Sequence, residues 1–382
     1  MGVSIVIPTW NGLGLLQRFL PSVIAAATHY AKHSPATTEI LIVDDGSTDE
    51  TVAWLLQTGF QENGGQVELD ADPSKPKLRL LRNDRNQGFG EACNRGIEFA
   101  AHPLIFLLNN DVETAVDCIA PLVENFADAS VFAAHCRVFE FDGGRECGTG
   151  KLGSFSRGFI RVHRSYATLD PPALEPYSHS AMSATIESTG RQRSADATKA
   201  STHSQSQPLY SMFAGGGSAM FDRQKFLDVG GFEPLLTPFY WEDVELSYRA
   251  WKRGYAVLYE PRSVTCHRVS STIGRLNRRK VRTIEHRNRL IYHWIHLCDS
   301  RMLASHMIWV ALLAITAPFR LRPGFLVSCA AALRRLPAIR KRRREEKRAR
   351  VRNDREVFAI FRSMALRSDL MAYDDVSELN VE

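Results

Sequence analysis

Three acidic stretches have the residue types and spacing to do chemistry. In "LIFLLNNDVE" (residues 104–113) an apolar run ends on Asn109, Asn110 and Asp111; in "EILIVDDGSTDE" a second ends on Asp44 and Asp45; and "YWEDVEL" sets Glu242 beside Asp243 where a helical pattern begins. A lone carboxylate among neutral amides suits a hard cation such as Mg²⁺ or Mn²⁺, which takes few protein ligands and is completed by water and substrate phosphates. Asp111 could equally cap a helix over Val112–Val123. A carboxylate after the second strand can accept from a base N–H or a ribose hydroxyl, while Asp49 is placed to cap the helix that follows. At a helix N-terminus a carboxylate stays ionised and can take a proton from an attacking hydroxyl, although complementing the helix dipole calls for the same residue types. His267, in "VTCHRVSST", could ligate a metal, donate to phosphate or be structural. His293 and His296 share a helix face without a carboxylate at metal-site spacing and read as structural.

The first half of the chain alternates strand and helix. "VSIVIPTW", "EILIVDDGS", "LRLLRN" and "LIFLLNN" read as strands, and the Leu15–Ala27 periodicity and "GFGEACNRGIEFA" read as helices. Ser47 or Thr48 could cap the helix carrying Val52, Leu55 and Leu56. Near-continuous apolar strands alternating with helices predict an α/β fold with a parallel sheet covered on both faces. Ligands of such sheets sit beyond the strands' carboxyl ends, where "PTWNG", "DDGS", "NDRNQG" and "NND" all fall. Farther on, "LYSMFAGGGSAMF" is strand-like, its glycines either admitting a ligand's close approach or forming a bulge. "WEDVELSYRAWKRGY" reads as an amphipathic helix, and "AVLYEPRSVTCHRVSST" as one or two short strands. Residues 178–207, rich in Ser and Thr, cannot bury a core and read as a flexible insertion.

The net charge of +6 is unevenly placed: eleven Lys and Arg against two Glu in residues 334–352 give that segment +9 and leave the rest at −3. A basic segment of this kind seeks the phosphates of anionic lipid or of nucleic acid. It follows a charge-free run, Met302–Phe319, and a second apolar run, "FLVSCAAAL". At ~1.5 Å per residue the first falls slightly short of a ~30 Å hydrocarbon core, which favours a helix lying in the membrane interface over a single span. Seven scattered cysteines with no CxxC pair argue against a disulfide framework or a zinc knuckle and fit a reducing compartment. "VSIVIP" is too short for a signal peptide and reads as a first strand, which places the body in the cytoplasm.

Taken in order, "SIVIPTWNG", "EILIVDDGSTDET", "NDRNQGFGEACNRGIEFA", "LIFLLNNDVE", "FAGGGSAMFDRQKFLDVGGFEP", "YWEDVELSYRAWKRGY" and "VTCHRVSST" resemble glycosyltransferase family 2, the inverting enzymes of GT-A fold. "EHRNRLIYHWIHL" and the basic segment resemble the bacterial branch that includes rhamnosyltransferases of cell-surface polysaccharide assembly. The resemblance implies a mostly parallel, Rossmann-like sheet flanked by helices over residues 1–275, and a helical C-terminal region over 276–382 with a membrane-associating segment at 302–333. It also implies that Pro8, Thr9, Asp44, Asp45, Asn86, Gly88 and Asn110 meet a nucleotide-sugar. Asp111, last residue of the DXD-like motif, would bind Mg²⁺ or Mn²⁺ with His267 near it, although Asn109 stands where that motif has Asp. Asp243 would be the catalytic base, with Glu242 supporting it. The implied partners are a nucleotide-sugar donor, a glycan or lipid-linked acceptor and the inner-membrane surface, with no nucleic acid.

Two rivals share parts of this pattern. A nucleotidyltransferase making a nucleotide-sugar would carry a glycine- and basic-rich loop after its first strand, which "PTWNGLGLLQR" lacks. A nucleic-acid-binding protein would use the Arg-rich segment, but no aromatic interleaving accompanies it. A dinucleotide-binding fold is disfavoured because "NGLGLLQ" lacks the third glycine of GxGxxG.

Overall fold

The computed structural model describes residues 1–62, 72–141, 146–169, 208–268, 277–319 and 323–374; the Ser/Thr-rich stretch 178–207 lies outside them. The first half runs β1 (Val3–Thr9), α1 (Leu13–His33), β2 (Thr38–Asp44), α2 (Thr51–Gln57), β3 (Gln61–Glu62), β4 (Lys77–Arg82), α3 (Phe89–Phe99) and β5 (Leu104–Leu108). It continues with β6 (Val112–Thr114), α4 (Ile119–Glu124), β7 (Val131–Glu140), β8 (Glu146–Gly148), β9 (Gly150–Ser156) and β10 (Phe159–Thr168). Then come β11 (Ser218–Asp222), α5 (Arg223–Val229), α6 (Glu242–Lys252), β12 (Ala256–His267) and α7 (Arg278–His296). The described residues end with α8 (Ser300–Thr316), α9 (Pro323–Leu333), α10 (Leu336–Ala349), α11 (Asp354–Ala365) and β13 (Leu370–Asp374).

The main sheet has the order β3-β4-β2-β1-β5-β11-β7-β12-β6, with β8 paired to β7. Its first five strands pair in parallel. Strand alternation divides their side chains between two cores: Ile5, Ile7, Ile40, Ile42, Leu104 and Phe106 face α1 and α2, whereas Val6, Leu41, Val43, Ile105 and Leu107 face α3. Two-sided burial is why these strands read as unbroken apolar runs. At Gly96 of α3, a Cβ would lie 2.6 Å from a Val6 methyl and 2.7 Å from a Val43 methyl, so the glycine sets how closely α3 lies on the sheet.

Several local readings need correction. The segment after Asp111 is not a helix; β6 pairs with β12, matching Val112 to His267, and α4 starts only at Ile119. That removes helix capping as the reason for Asp111. Ser47 and Thr48 do not cap α2; Asp49 accepts from the Thr51 amide instead (3.1 Å). The "WEDVEL" helix is buried on all sides from Val244 to Lys252 because later helices cover the face that its charges had marked for solvent. "AVLYEPRSVTCH" is one long strand with a register shift between Glu260 and Val264. The small β9-β10-β13 sheet had no counterpart in the sequence reading.

Buried ion pairs stitch the C-terminal helices to this body. Lys252 of α6 donates to Asp354 Oδ1 (2.9 Å) and to the His296 carbonyl (2.6 Å). The same carboxylate accepts from the Tyr248 hydroxyl (2.7 Å) and from the amides of Cys298 and Asp299. Every partner is satisfied, so deleting one strands a buried charge. Asp354→Ala is expected to cost about 3–5 kcal/mol, read as a lower urea midpoint with little change in slope.

No helix among the described residues is long and apolar enough to cross a membrane, which sets the single-span reading of 302–319 aside. The basic segment is also less free than its charge count suggests. Arg342 pairs with Glu233 (2.7 Å), Arg343 donates to the Trp294 carbonyl at the end of α7 (2.8 Å), and Arg352 to the Tyr255 carbonyl (3.0 Å). Arg334, Arg340, Lys341, Arg344, Lys347 and Arg348 remain exposed.

Candidate active site

The carboxyl ends of β1, β2, β4 and β5 form one rim, as the register shows: Thr9 lies beside Asp44, and Asp44 beside Arg82. Two loops are zipped together there. The Asn11 amide donates to Ser47 Oγ and the Thr48 amide to Asn11 Oδ1, both at 2.8 Å, while the Asp45 amide donates to the Thr9 carbonyl. Thr9 Oγ1 accepts from Asn110 Nδ2 (2.9 Å). A Cβ on Gly12 would lie 2.3 Å from that hydroxyl, so only glycine leaves the pair its room. Pro8 is buried within β1, opposite Val43.

The two aspartates of "VDDGS" have different tasks. Asp45 is saturated by the 83–88 loop: it accepts from Asn83 Nδ2 (2.7 Å), the Gln87 amide (3.0 Å) and the Gly88 amide (2.9 Å). Gly46, at φ +75°, lets the Arg85–Asn86 backbone pass where a Cβ would meet it at 2.7 Å. Asp44 Oδ2 accepts from the Ser47 amide (3.1 Å), but Oδ1 is buried with no partner. A buried acceptor without a donor is costly, which makes Asp44 the better placed of the two to receive a ligand's N–H or hydroxyl. Asn86 is exposed on the loop and Gly88 is buried beneath it. The sequence reading assigned Asn83 and Gln87 no role; the only trace was their place in "NDRNQG".

Asp111 and His267 meet across the β6–β12 junction, Nε2 to Oδ1 at 3.0 Å. The Arg268 amide donates to the Asp111 carbonyl, and the Asn109 amide to the Gly217 carbonyl, so the glycine run closes the same rim. Two donor atoms 3.0 Å apart are spaced as neighbouring ligands of one octahedral ion at ~2.1 Å would be. One carboxylate and one imidazole suit Mn²⁺ or Mg²⁺ provided that the substrate completes the sphere. Among the described residues no group of three or more acidic, His or Cys side chains could hold an ion alone.

The Glu242–Asp243 pair opens α6 from a strained turn. Tyr240 (φ 71°) and Trp241 (φ 74°) are consecutive non-glycine residues in the left-handed region, at about 1–2 kcal/mol each. Asp243 Oδ1 accepts from the Val244 amide (2.7 Å). Glu242 is partly exposed as a residue, yet its Oε2 is buried and unpartnered. Burial first, and then the neighbouring Asp243 carboxylate, push Glu242 up to about 8. Burial and the adjacent carboxylate favour one proton on the pair at neutral pH, with Glu242, whose Oε2 is buried and unpartnered, the side that holds it. Burial, and then the negative charges of Glu242 and Asp45, raise the buried Cys93 thiol of α3 well above its ordinary value. Gly88 also packs on Thr237 and Pro238 of the loop that leads into the pair.

A pH profile separates the two acids. Above about pH 8 a second charge appears beside Asp243, so wild-type kcat/KM is expected to fall there, and Glu242→Gln should remove that limb while staying within about threefold of wild type at pH 7. Because the folded state keeps a proton that the unfolded chain loses, the contribution of Glu242 to stability is fully present below its ordinary value of 4.5. It is lost as pH rises through about 8. Glu242→Gln should accordingly gain Tm over wild type as pH rises across that window.

Residues 4–170 match the family model of glycosyl transferase family 2. Among curated proteins it is similar to poly-beta-1,6-N-acetyl-D-glucosamine synthase of Staphylococcus aureus, 23% identical over 283 residues, which are 74% of this chain and 53% of the synthase. It is also similar to dolichyl-phosphate beta-glucosyltransferase ALG5C of Trichomonas vaginalis, 27% identical over 115 residues, 30% of each chain. The chain spans about half the length of the S. aureus relative. Among solved structures, GalNAc-T7 with UDP, GalNAc and Mn²⁺ superposes with a TM-score of 0.51 at 18% identity, covering 83% of this chain and 57% of that one. The sheet order and this superposition show a GT-A fold, with a helical C-terminal region.

Proposed function

We propose that the protein is an inverting glycosyltransferase that moves a sugar from a nucleotide-diphosphate-sugar to a lipid-linked glycan acceptor in bacterial cell-surface polysaccharide synthesis. The observation that carries this reading is the single rim shared by the unpartnered Asp44 oxygen, the Asp111–His267 pair and the Asp45-held loop, whose Gly88 packs on the segment leading to Glu242–Asp243. We place the chain in the rhamnosyltransferase-like branch on "EHRNRLIYHWIHL", and the relatives' polysaccharide chemistry supports a glycan acceptor.

In this reading Thr9, Asp44 and the 83–88 loop orient the nucleoside, and Asn110 holds Thr9 in place. Asp243 takes the proton of an acceptor hydroxyl. The oxygen bonds to the anomeric carbon as the bond to the diphosphate oxygen breaks, and the configuration inverts. Protonated Glu242 keeps a second charge away from Asp243 and can donate a hydrogen bond. A Mn²⁺ or Mg²⁺ ion on Asp111 and His267 would supply Lewis-acid stabilisation of the diphosphate charge. The purified chain, offered UDP-, GDP- and dTDP-sugars with each metal, should hydrolyse one donor slowly and metal-dependently. Failure to bind or hydrolyse any of them would overturn the reading.

The C-terminal helices support a lipid-linked acceptor. Ile308, Leu312 and Ile315 lie at i, i+4 and i+7 on α8 and are 60%, 48% and 67% exposed; Phe319 and, on α9, Val327 and Leu333 extend the apolar surface. The exposed Arg and Lys side chains of residues 334–348 follow it directly in sequence. That pairing of apolar surface with cations fits docking onto an anionic leaflet from the cytoplasmic face. Changing Ile308, Leu312 and Ile315 together to Ser should cut binding to phosphatidylglycerol vesicles at least ~10-fold with Tm held. Unchanged co-sedimentation would remove the membrane from the proposal. On this view residues 1–275 carry the transfer chemistry and 276–382 the docking surface.

A further inference from the structure

The strained turn before Glu242–Asp243 does not hold itself. Asn288 of α7, fully buried, directs its side-chain amide at the carbonyls of Leu236, Phe239 (2.9 Å) and Tyr240 (3.0 Å). Its own Oδ1 accepts from Arg287 Nε (2.9 Å) and Nη2 (2.7 Å), which fixes the amide so that NH₂ faces the turn. Arg287 Nη2 also donates to the Thr237 carbonyl (2.6 Å). Trp241 is gripped by the same helix: its ring lies 5.4 Å from Tyr292, and the Arg289 guanidinium sits 5.5 Å from its centroid. Leu236 packs with Leu290 and Ile291. Every residue from 236 to 241 except Pro238 is thus tied to "RNRLIYH" of α7 by hydrogen bond or side-chain packing.

Resting on the base assignment above, we infer that Asn288 is a positioning residue for Asp243: it holds the left-handed Tyr240–Trp241 backbone that aims the acid pair, with Arg287 orienting Asn288. A buried amide serving several carbonyls at once has no substitute in that cavity. Alanine removes the donors, and aspartate turns a negative oxygen toward the carbonyls. The C-terminal region then contributes to the geometry of transfer as well as to docking, since α7 leads directly into α8.

Hydrogen–deuterium exchange of Asn288→Ala and Asn288→Asp tests this without relying on turnover. Peptides covering 236–243 should exchange at least ~10-fold faster than in wild type, with β1, β2 and β5 unchanged. In parallel, Mn²⁺-dependent hydrolysis of whichever UDP-, GDP- or dTDP-sugar the screen selects should fall by about 10²-fold in kcat, with affinity for the matching nucleoside diphosphate by calorimetry within about twofold of wild type. Unchanged exchange overturns the inference; so does fast exchange with unaltered kcat, or a parallel loss of kcat and nucleoside-diphosphate affinity. If Asn288→Ala does not fold, Arg287→Lys, which keeps the amide and loosens its orientation, should give the same split in smaller measure. Asp243→Asn in the same assay separates the two claims: full activity there defeats the base assignment and leaves the exchange result standing.

Discussion

Asp243→Asn is expected to lower kcat by about 10³-fold or more while leaving nucleotide-sugar affinity within about twofold. The amide is isosteric, so the Val244 amide at 2.7 Å from Asp243 Oδ1 keeps an oxygen to donate to and α6 keeps its start. What disappears is the site for the acceptor's proton. Glu242 is a poor replacement, because its burial, the larger cause of its raised value, remains when the Asp243 charge is gone. A general base contributes typically ~10²–10⁴-fold, or about 3–5.5 kcal/mol of barrier. Steady-state kinetics beside calorimetric donor binding reads both quantities. A variant that loses affinity and rate together would point to donor binding as the role of Asp243.

Asp111→Asn is expected to have the second-largest effect, through a different quantity. It keeps the fold, since the Asp111 carbonyl still accepts from Arg268, but His267 Nε2 loses a charged partner 3.0 Å away. In the proposed site one carboxylate and one imidazole hold the ion, so replacing that carboxylate should weaken Mn²⁺ affinity on the order of 10²-fold. Turnover at fixed low Mn²⁺ should fall by a similar factor and recover in part as Mn²⁺ is raised. Asp243→Asn gives no such recovery. Activity insensitive to both the substitution and chelation would show that the pair serves structure alone.

The parallel half of the fold was legible because burial on both faces makes each strand an unbroken apolar run, and "LIFLL" alternates Leu104 and Phe106 to one core with Ile105 and Leu107 to the other. Rim placement followed from topology alone. Less legible was anything fixed by long-range packing. The polar side of α6 looked solvent-facing until Asp354 and His296 arrived from residues far away to pair with Lys252 and Glu245. Asp45 looked like a ligand-binding acid, yet it is occupied by a loop some forty residues on, while the unpartnered oxygen belongs to Asp44. Asn288 carried no signal of its own: a buried asparagine in a helix shows its purpose only once three carbonyls stand around it.

The central claim is that acids distant in sequence serve one donor site at the sheet's rim. Crystals grown with Mn²⁺ and the UDP-, GDP- or dTDP-sugar that the hydrolysis screen selects, measured at the manganese absorption edge, test it most directly. The account predicts one anomalous peak beside Asp111 and His267, the diphosphate on that ion, the base near Asp44, and the Asp243 carboxylate on the far side of the anomeric carbon from the diphosphate. Manganese bound elsewhere, or Asp243 facing away from the sugar, would contradict it.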